Sequence, residues 1–506
     1  MINTKELPIL YIKVGGRNIN QNAIQSVESI IVVQNLCLPS YCELQFVQQN
    51  LLSLGAVKQG DSITISVENQ ENCLFEGDIT ACEHQYTLGG NQKLIIRAYD
   101  LLHRLRKRQQ VRQFTDTKLN ALVSDVVKDM NINVVWHGSN ISITQSYQWR
   151  QSDLAMITEN CQRYGYHFSL WGDTLNVFPL SSGFKSNVGK KSLQWMKNLL
   201  GANVELNTDP ACRKVDVFGW DPHRAEPVAG KASSHAGPDI SADTHPRQVG
   251  VDGNRIITAQ VLDSPAEAKA VGQAMIDQRR MGEAIFQGVA EGDADLRPGV
   301  RVSVEGLQSD LNGQYVLSSV QHNFDRLQGY VCELSTAPPQ LVERQTLYSS
   351  LGVVADINDP DKLGRVKVKF PELCDLESLW LAIVHPGAGQ NKGIVAMPDV
   401  NDHVLVFFVD GDPTRGVIIG GLYGKNGPPD TGISGGKIKT YTFATPQGQT
   451  IQLNDDKSSV HLENSDGSYI DLSPSKVTIH SDTKMLIEAP GKSMTIRASS
   501  IDFEKG

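Results

Sequence analysis

The sequence predicts a mainly β chain with minor α, ending in a tail of very short strands. Three observations carry this. Alternating β-branched and polar residues recur through most of the 506 residues. Helical spacing appears in only three segments, all before residue 345. From 451 to 503, apolar residues come almost entirely in pairs, one residue apart, with polar, small or charged residues between them.

The first block, 1–345, is mixed. "LPILYIKVGG" and "SVESIIVVQNLCLPSYCELQFV" read as strands. A strongly basic run follows at 103–112. Behind it, Leu119, Leu122, Val123, Val126, Val127 and Met130 fall at helical spacing. A second helix starts at Ser152, with Leu154, Ile157 and Tyr164 on one side and Gly165 as its stop. A third opens with Ser264 as N-cap, Pro265 in the first turn and Glu267 closing a capping box, and runs to about Met281. Between the last two, residues 221–250 are rich in Pro, Gly, Ser and His and read as a loop or an excursion from the fold. Strand signals return at "GVRVSVEG", "GQYVLSSVQHNF" and "GYVCELSTAP".

The second block, 346–429, reads as five short strands. Val366, Val368 and Phe370 alternate with Lys367 and Lys369, the two-residue period of a half-buried strand. Further strands are expected at 379–384, 404–409 and 417–419, split by Gly/Pro/Asp turns. That many strands in so short a segment suit a small barrel.

The third block, 430–506, is a linker followed by the paired pattern. The pairs are Ile451/Leu453, Val460/Leu462, Ile470/Leu472, Val477/Ile479, Met485/Ile487, Met494/Ile496 and Ile501/Phe503, at a loose period near eight. A strand with two inward residues buries no core alone; it must stack on copies of itself. Seven such strands, three to a turn, give one chain little more than two turns of a triangular helix. Three chains wound together use each strand as one side of a prism. The expected core of that homotrimeric needle is Ile451, Leu453, Val460, Leu462, Ile470, Leu472, Val477, Ile479, Met485, Ile487, Met494 and Ile496. A two-layer sandwich or meander tail is the competing reading.

Bulk properties narrow the function. The formal charge of −9 argues against a general polyanion binder. Eight cysteines, from Cys37 to Cys374, form no CxxC pair, so neither a zinc site nor a disulfide framework is indicated, and synthesis in a reducing compartment is expected. The N-terminus shows no signal peptide, and the apolar run at 404–409 is far too short to span a bilayer. The chain is expected to be made in the cytoplasm.

Chemical motifs are weak. "GISGG" at 432–436 fits the nucleophile-elbow pattern around Ser434, but that motif needs a strand before and a helix after. Here a Pro-Pro linker precedes and a strand-like segment follows, so a flexible linker is expected. "VDGDP" lacks the spacing and the terminal Glu of a calcium loop. His235 and His245 read as exposed loop residues. The basic run lacks aromatic interleaving and reads as a solvated or intersubunit face. No catalytic residue, metal ligand, cofactor or nucleic-acid partner is expected.

The middle block carries a family resemblance. Asp359-Pro360 with Leu363-Gly364-Arg365-Val366, His385-Pro386-Gly387-Ala388-Gly389, Gly393, Pro398, "DHVLVFF", and Gly411-Asp412-Pro413 with Gly420 and Tyr423 stand in order and spacing. This pattern resembles the OB-fold segment of VgrG and phage baseplate spike proteins. "YDLLHRLRKR" with its following helix, "WRQSDLAMITENCQRYGYHFSLWGDTLNVFP" and "LRPGVRVSVEG…NGQYVLSSVQHNF" resemble the hub of that family. The resemblance implies a hub of β-barrels with α/β insertions over 1–345, an OB-fold over 346–429 and a β-helix needle over 430–506. It further implies a homotrimer at a baseplate, capping an inner tube and driven through a target envelope when a sheath contracts.

Two departures stand out. The Val-x-Gly octad of phage needles is missing, and no His-x-His pair is present to bind a tip metal. The end at Ile501, Phe503 and Gly506 therefore implies contact with a separate PAAR-like tip protein. The short needle and absent effector domain lean towards an extracellular contractile particle rather than a type VI secretion tip or a phage.

Overall fold

The computed structural model describes residues 8–20, 24–47, 57–88, 92–180, 183, 191–221, 226–233, 239–242, 244, 249–251, 253–326, 328–342 and 345–504. The expectations placed on His235, His245 and Gly506 lie outside the described residues. The chain forms two compact units, Met1–Gly421 and Leu422–Gly506.

An 11-stranded sheet organises the first unit. Its order is Leu199–Leu206, Ala284–Glu291, Gly329–Ser335, Ser319–Asp325, Val27–Asn35, Tyr41–Val47, Gln92–Tyr99, Phe75–Tyr86, Ser62–Val67, Leu10–Val14 and Arg17–Asn18. Strands far apart in sequence therefore share one ladder. The junction is the antiparallel pairing of Ser319–Asp325 with Val27–Asn35, in which His322 opposes Val32. Two hydrophobic cores lie along this sheet. One gathers Ile12, Ile30, Leu44, Phe46, Ile63 and Ile96. The other gathers the helix residues Leu122, Val126 and Ile157 with Phe168, Phe178, Phe286 and Tyr315.

The three expected helices form. Leu119–Val127 buries Leu119, Leu122, Val123, Val126 and Val127. It begins at Leu119, where the helical spacing begins, and the preceding Arg112–Lys118 pairs as a strand with Ser142–Gln148. Asp153–Arg163 is capped by Ser152, whose hydroxyl accepts from the Ala155 N–H at 3.2 Å. Pro265–Met281 is capped by Ser264, which accepts from the Glu267 N–H at 3.2 Å. Glu267 reaches back one residue further than a standard capping box, to the Asp263 N–H at 2.8 Å.

The expectation of a loop over 221–250 is corrected. Glu226–Ser233 is a strand, paired antiparallel with Lys214–Asp221, which also pairs in parallel with Arg255–Val261. The composition misleads because helix Pro265–Met281 lies on this sheet at close range. A Cβ on Gly230 would stand 2.6 Å from the Ala268 Cβ. Ala and Gly are here the residues that let a helix touch a strand, not turn formers.

The barrel sheet runs Leu376–Glu377, Lys367–Phe370, Ser349–Asp356, His403–Phe408, Gly416–Leu422 and Ala382–Ile383. Its core of Val354, Val366, Val368, Phe370, Val404, Val406 and Phe408 also takes in Tyr147 and Trp149, which come from the hub.

The second unit holds a tight hairpin, Ile433–Ser434 with Lys437–Ile438, and a five-stranded antiparallel meander. The meander runs Thr440–Ala444, Thr450–Asn454, Ser459–Glu463, Tyr469–Leu472 and Val477–His480. The flexible linker expected at 432–436 is thereby corrected. Gly435 and Gly436 adopt φ of 59° and 73°, as a two-residue hairpin turn requires. Ser434 sits on a hairpin strand, and a strand rather than a helix follows it.

Candidate functional site

The tail sheet places the apolar pairs in register. Tyr441 opposes Leu453, Leu453 opposes Val460, Val460 opposes Leu472 and Leu472 opposes Val477. Beside this row, Phe443 opposes Ile451, Ile451 opposes Leu462, Leu462 opposes Ile470 and Ile470 opposes Ile479. Alternation puts both rows on one face of the sheet. That face is open: Phe443 is 63 %, Ile451 45 % and Leu453 41 % exposed, and Val477 and Ile479 are more so. The opposite face carries Thr442, Gln452, His461, Tyr469, Asp471, Thr478 and His480.

Tyr441 and Phe443 extend the rows by one strand beyond the pairs read from the sequence. Their signal was the same spacing in "TYTF", with aromatics in place of aliphatics. Met485, Ile487, Met494 and Ile496 behave differently. They are exposed and belong to no strand, as are Ile501 and Phe503 at the end of the described chain.

Asp430 anchors the base of this sheet. Its carboxylate accepts from the Gly432 N–H at 2.8 Å and from the hydroxyls of Thr440 and Thr442, each at 2.7 Å. These donors, the backbone N–H first, hold its pKa below the usual carboxylate value.

The barrel's signature turns are structural locks. Asp359 accepts from the N–H groups of Asp361 and Leu363 at 3.1 and 2.9 Å and is gripped by Arg365 through Nε and Nη2 at 3.0 and 2.7 Å. The Arg365 guanidinium holds the Asp359 carboxyl well below the usual range. Pro360 sits at the corner of this turn, and Gly364 takes a left-handed φ of 70°. In the second turn, Gly411 approaches Thr346 so closely that a Cβ would fall 2.8 Å from the Thr346 Cβ. Pro413 follows Asp412, whose buried carboxylate accepts from the Thr414 N–H and hydroxyl at 3.0 and 2.7 Å.

That second turn carries a residue the sequence reading did not single out. Arg415 is buried and pairs with Asp263 of the hub. Beside it, Glu267 takes the Tyr164 hydroxyl at 2.9 Å and Arg163 at 3.2 Å. The Tyr147 hydroxyl donates to the Glu377 carbonyl at 3.2 Å, and burial pushes its phenol pKa up. Hub and barrel are thus joined by the Arg415–Asp263 ion pair and an inserted aromatic pair.

Run 103–112 is exposed along most of its length, as a solvated face would be, with Arg104, Arg106 and Lys107 open to solvent, but it also does a structural job. Two of its arginines reach a buried carboxylate. Arg108 and Arg112 both grip Asp153, which is fully buried at the start of its helix; Arg112 Nη2 stands at 2.5 Å. Arg108 also pairs with Asp129 and Arg104 with Asp78, while Arg106 lies over the Tyr99 ring. Buried charge must be paired, and Asp153 requires these arginines. Among the described residues, no group of three or more His, Cys, Asp or Glu is placed to hold a metal ion. Among them too, no helix is long and apolar enough to cross a membrane.

Residues 350–423 match the type VI secretion system/phage-baseplate injector OB domain. Residues 45–325, more than half of the chain, match the Alg8 N-terminal domain. The chain belongs to that family. It is a VgrG-like spike protein in architecture. It is 23 % identical over 316 residues to the type VI secretion system spike protein VgrG4b of Pseudomonas aeruginosa, covering 54 % of this chain and 39 % of that one. Vibrio cholerae VgrG3 is 34 % identical over 95 residues, 18 % of this chain and 9 % of that protein. The matches therefore span well under two thirds of these relatives. Among solved structures, a chain of the Francisella PdpA-VgrG complex superposes with a TM-score of 0.53 at 11 % identity, over 93 % of this chain and 79 % of that one. The E. coli c3393 protein is described as a type VI secretion component similar to T4 tail proteins gp27 and gp5. It gives 0.51 at 14 % identity, over 78 % and 96 %. At these identities the shared property is the fold.

Proposed function

We propose that the chain is the homotrimeric central spike of a contractile injection machine. In this reading it caps the inner tube at the baseplate and pierces the target envelope when the sheath contracts. It also presents Ile501 and Phe503 to a separate PAAR-like tip protein. The observation that carries it is the pair of apolar rows on the open face of the tail sheet. A contiguous apolar face of ten side chains is far more than scattered exposure, and faces of this kind mark association sites. Half-burying each side chain contributes roughly 1 kcal/mol, so three such faces turned together form a core that one chain lacks. Residues 485–503, strandless in one chain, gain ladder partners from the other two. The family membership, the VgrG-like architecture and the names of the relatives support the same assignment.

The role is mechanical: work comes from the sheath and stiffness from the spike, with no catalytic centre, metal or cofactor of its own. We favour an extracellular contractile particle as the machine. The relatives named as type VI spike proteins favour a type VI tip instead, and a phage baseplate spike is the remaining machine. Genes beside this one discriminate, because a membrane complex marks type VI. A spike with hydrolase or sugar-binding activity is the reading of another class, and turnover of peptidoglycan would establish it.

Light scattering on the full-length protein is the test. Three times the chain mass is expected. Leu462→Asp together with Ile470→Asp should release monomers with the hub fold retained by circular dichroism. A wild-type monomer at micromolar concentration would overturn the three-chain reading.

A further inference from the structure

The connector from hub to barrel is held more closely than a tether needs to be. Thr336 ends the pairing of the last hub strand, its N–H donating to the Phe286 carbonyl at 3.0 Å. Residues 337–342 then belong to no helix or strand. A segment of that kind ordinarily swings. Here two glutamine side chains hold its backbone. Gln278, on helix Pro265–Met281, donates from Nε2 to the Pro339 carbonyl at 2.8 Å. Gln162, near the end of helix Asp153–Arg163, donates to the Gln340 carbonyl at 3.3 Å and accepts from the Val342 N–H at 2.9 Å. A side-chain amide carries the same donor and acceptor as a peptide group. Gln162 therefore bonds residues 340 and 342 as the neighbouring strand of a sheet would, and it does so from a buried position.

The segment is prepared for this grip. Pro338 and Pro339 fix their own φ, hold the residue before each of them extended and have no N–H to satisfy. Apolar burial does not hold it, because Leu341 is 57 % and Val342 45 % exposed. On the barrel side the chain is caught again. The Leu347 N–H donates to the Gly411 carbonyl at 2.9 Å, in the turn that leads to Arg415. Arg415 returns to Asp263, the residue before the N-cap of helix Pro265–Met281. One helix thus holds the barrel at its start and the connector near its end, roughly 20 Å apart along the axis. A single attachment lets a domain swivel; two that far apart resist it. The glutamines also move the last hub anchor from Thr336 to Val342, which withdraws roughly 20 Å of leash.

We propose that Gln162 and Gln278, with the Arg415–Asp263 pair, form a brace that fixes the orientation of the barrel on the hub and can be released without unfolding either. Gln162 and Gln278 act as positioning residues through the connector backbone, and Arg415 acts through the barrel turn. That a braced barrel passes axial force on from the hub rests on the spike reading. The brace itself does not.

Thermolysin, which cuts before large apolar residues, and amide exchange read by mass spectrometry test this on the full-length protein. Exposed Leu341 offers a cutting site, yet the pinned backbone should protect the Gln340–Leu341 bond, since cleavage follows the population of the opened segment. Gln162→Met with Gln278→Met keeps the side-chain lengths and removes all three hydrogen bonds. Cleavage at that bond and exchange over 336–342 should then quicken about tenfold. Val27–Asn35 and Ser349–Asp356 should keep wild-type protection, which shows both domains folded. Gln278→Met alone should give about a threefold increase and answers the same question if the double variant fails to fold. Asp263→Asn should quicken exchange in Ser142–Gln148, whose Tyr147 enters the barrel core, and more so when the glutamines are also replaced. Wild type cut at Leu341 as fast as the double variant, or an Asp263→Asn effect that is the same with and without the glutamines, would overturn the brace.

Discussion

Asp100 shows what one buried side chain sets. It is 5 % exposed and accepts from the Ser40 N–H at 2.8 Å and the Leu102 N–H at 3.0 Å. Burial nevertheless dominates and raises its pKa to about 6. The folded state then binds this proton more tightly than the unfolded chain does. The associated stability is fully present below about pH 4 and lost as pH rises through about 6, an effect of about 3 kcal/mol. The stability difference between wild type and Asp100→Asn, measured by urea unfolding, should shrink by that order between pH 4 and pH 7 in the wild type's disfavour. Asp359 acts in the opposite sense, because the Arg365 grip lowers its pKa. Its contribution is present at neutral pH and lost as pH falls below the ordinary carboxylate range. Caps were legible at this scale: Ser152 and Ser264 announce their helices by type and position. The partners of Asp153 were not. Arg108 and Arg112 lie more than forty residues away, and no local spacing connects them to it.

Elements were read where periodicity is strong and missed where packing replaces it. The tail pairs survive as strands from Thr450–Asn454 to Val477–His480, because two apolar residues at a two-residue period encode a one-sided strand of any length. Glu226–Ser233 is hidden in the sequence because its core-facing residues are Val228, Gly230 and Ala232, two of them too small to register as an apolar alternation. The closeness of Gly230 to Ala268 defines that packing. Gly230→Val should push the helix off the sheet and lower stability by about 1–3 kcal/mol, seen as a reduced urea midpoint with helix content retained. The hairpin at 433–438 was hidden by composition of another kind. Its glycines signal flexibility in a linker, yet here they provide the left-handed angles of a tight turn.

The first unit shows how distant segments become one body. Trp149 is 3 % exposed and sits in a barrel core otherwise built from residues beyond 350. Arg415 returns the connection from barrel to hub through Asp263. Trp149→Ala should cost about 3–5 kcal/mol locally. Amide exchange should then quicken in Ser349–Asp356 and His403–Phe408 while Val27–Asn35 stays protected; uniform loss across all three would mean that the hub depends on the same residue.

The sequence by itself determined the class of each block, the helix starts, the turn-forming signature of the barrel and the two-row design of the tail. All of these follow from local alternation, capping and turn chemistry, which act within a few residues. Only the tertiary structure decided that strands from both ends of the hub share one sheet, that two arginines of the basic run close on a buried aspartate, and that a hub aromatic pair completes the barrel core. Those outcomes depend on which distant side chains compete for the same buried volume and the same buried charge, and that competition exists only once the chain has folded.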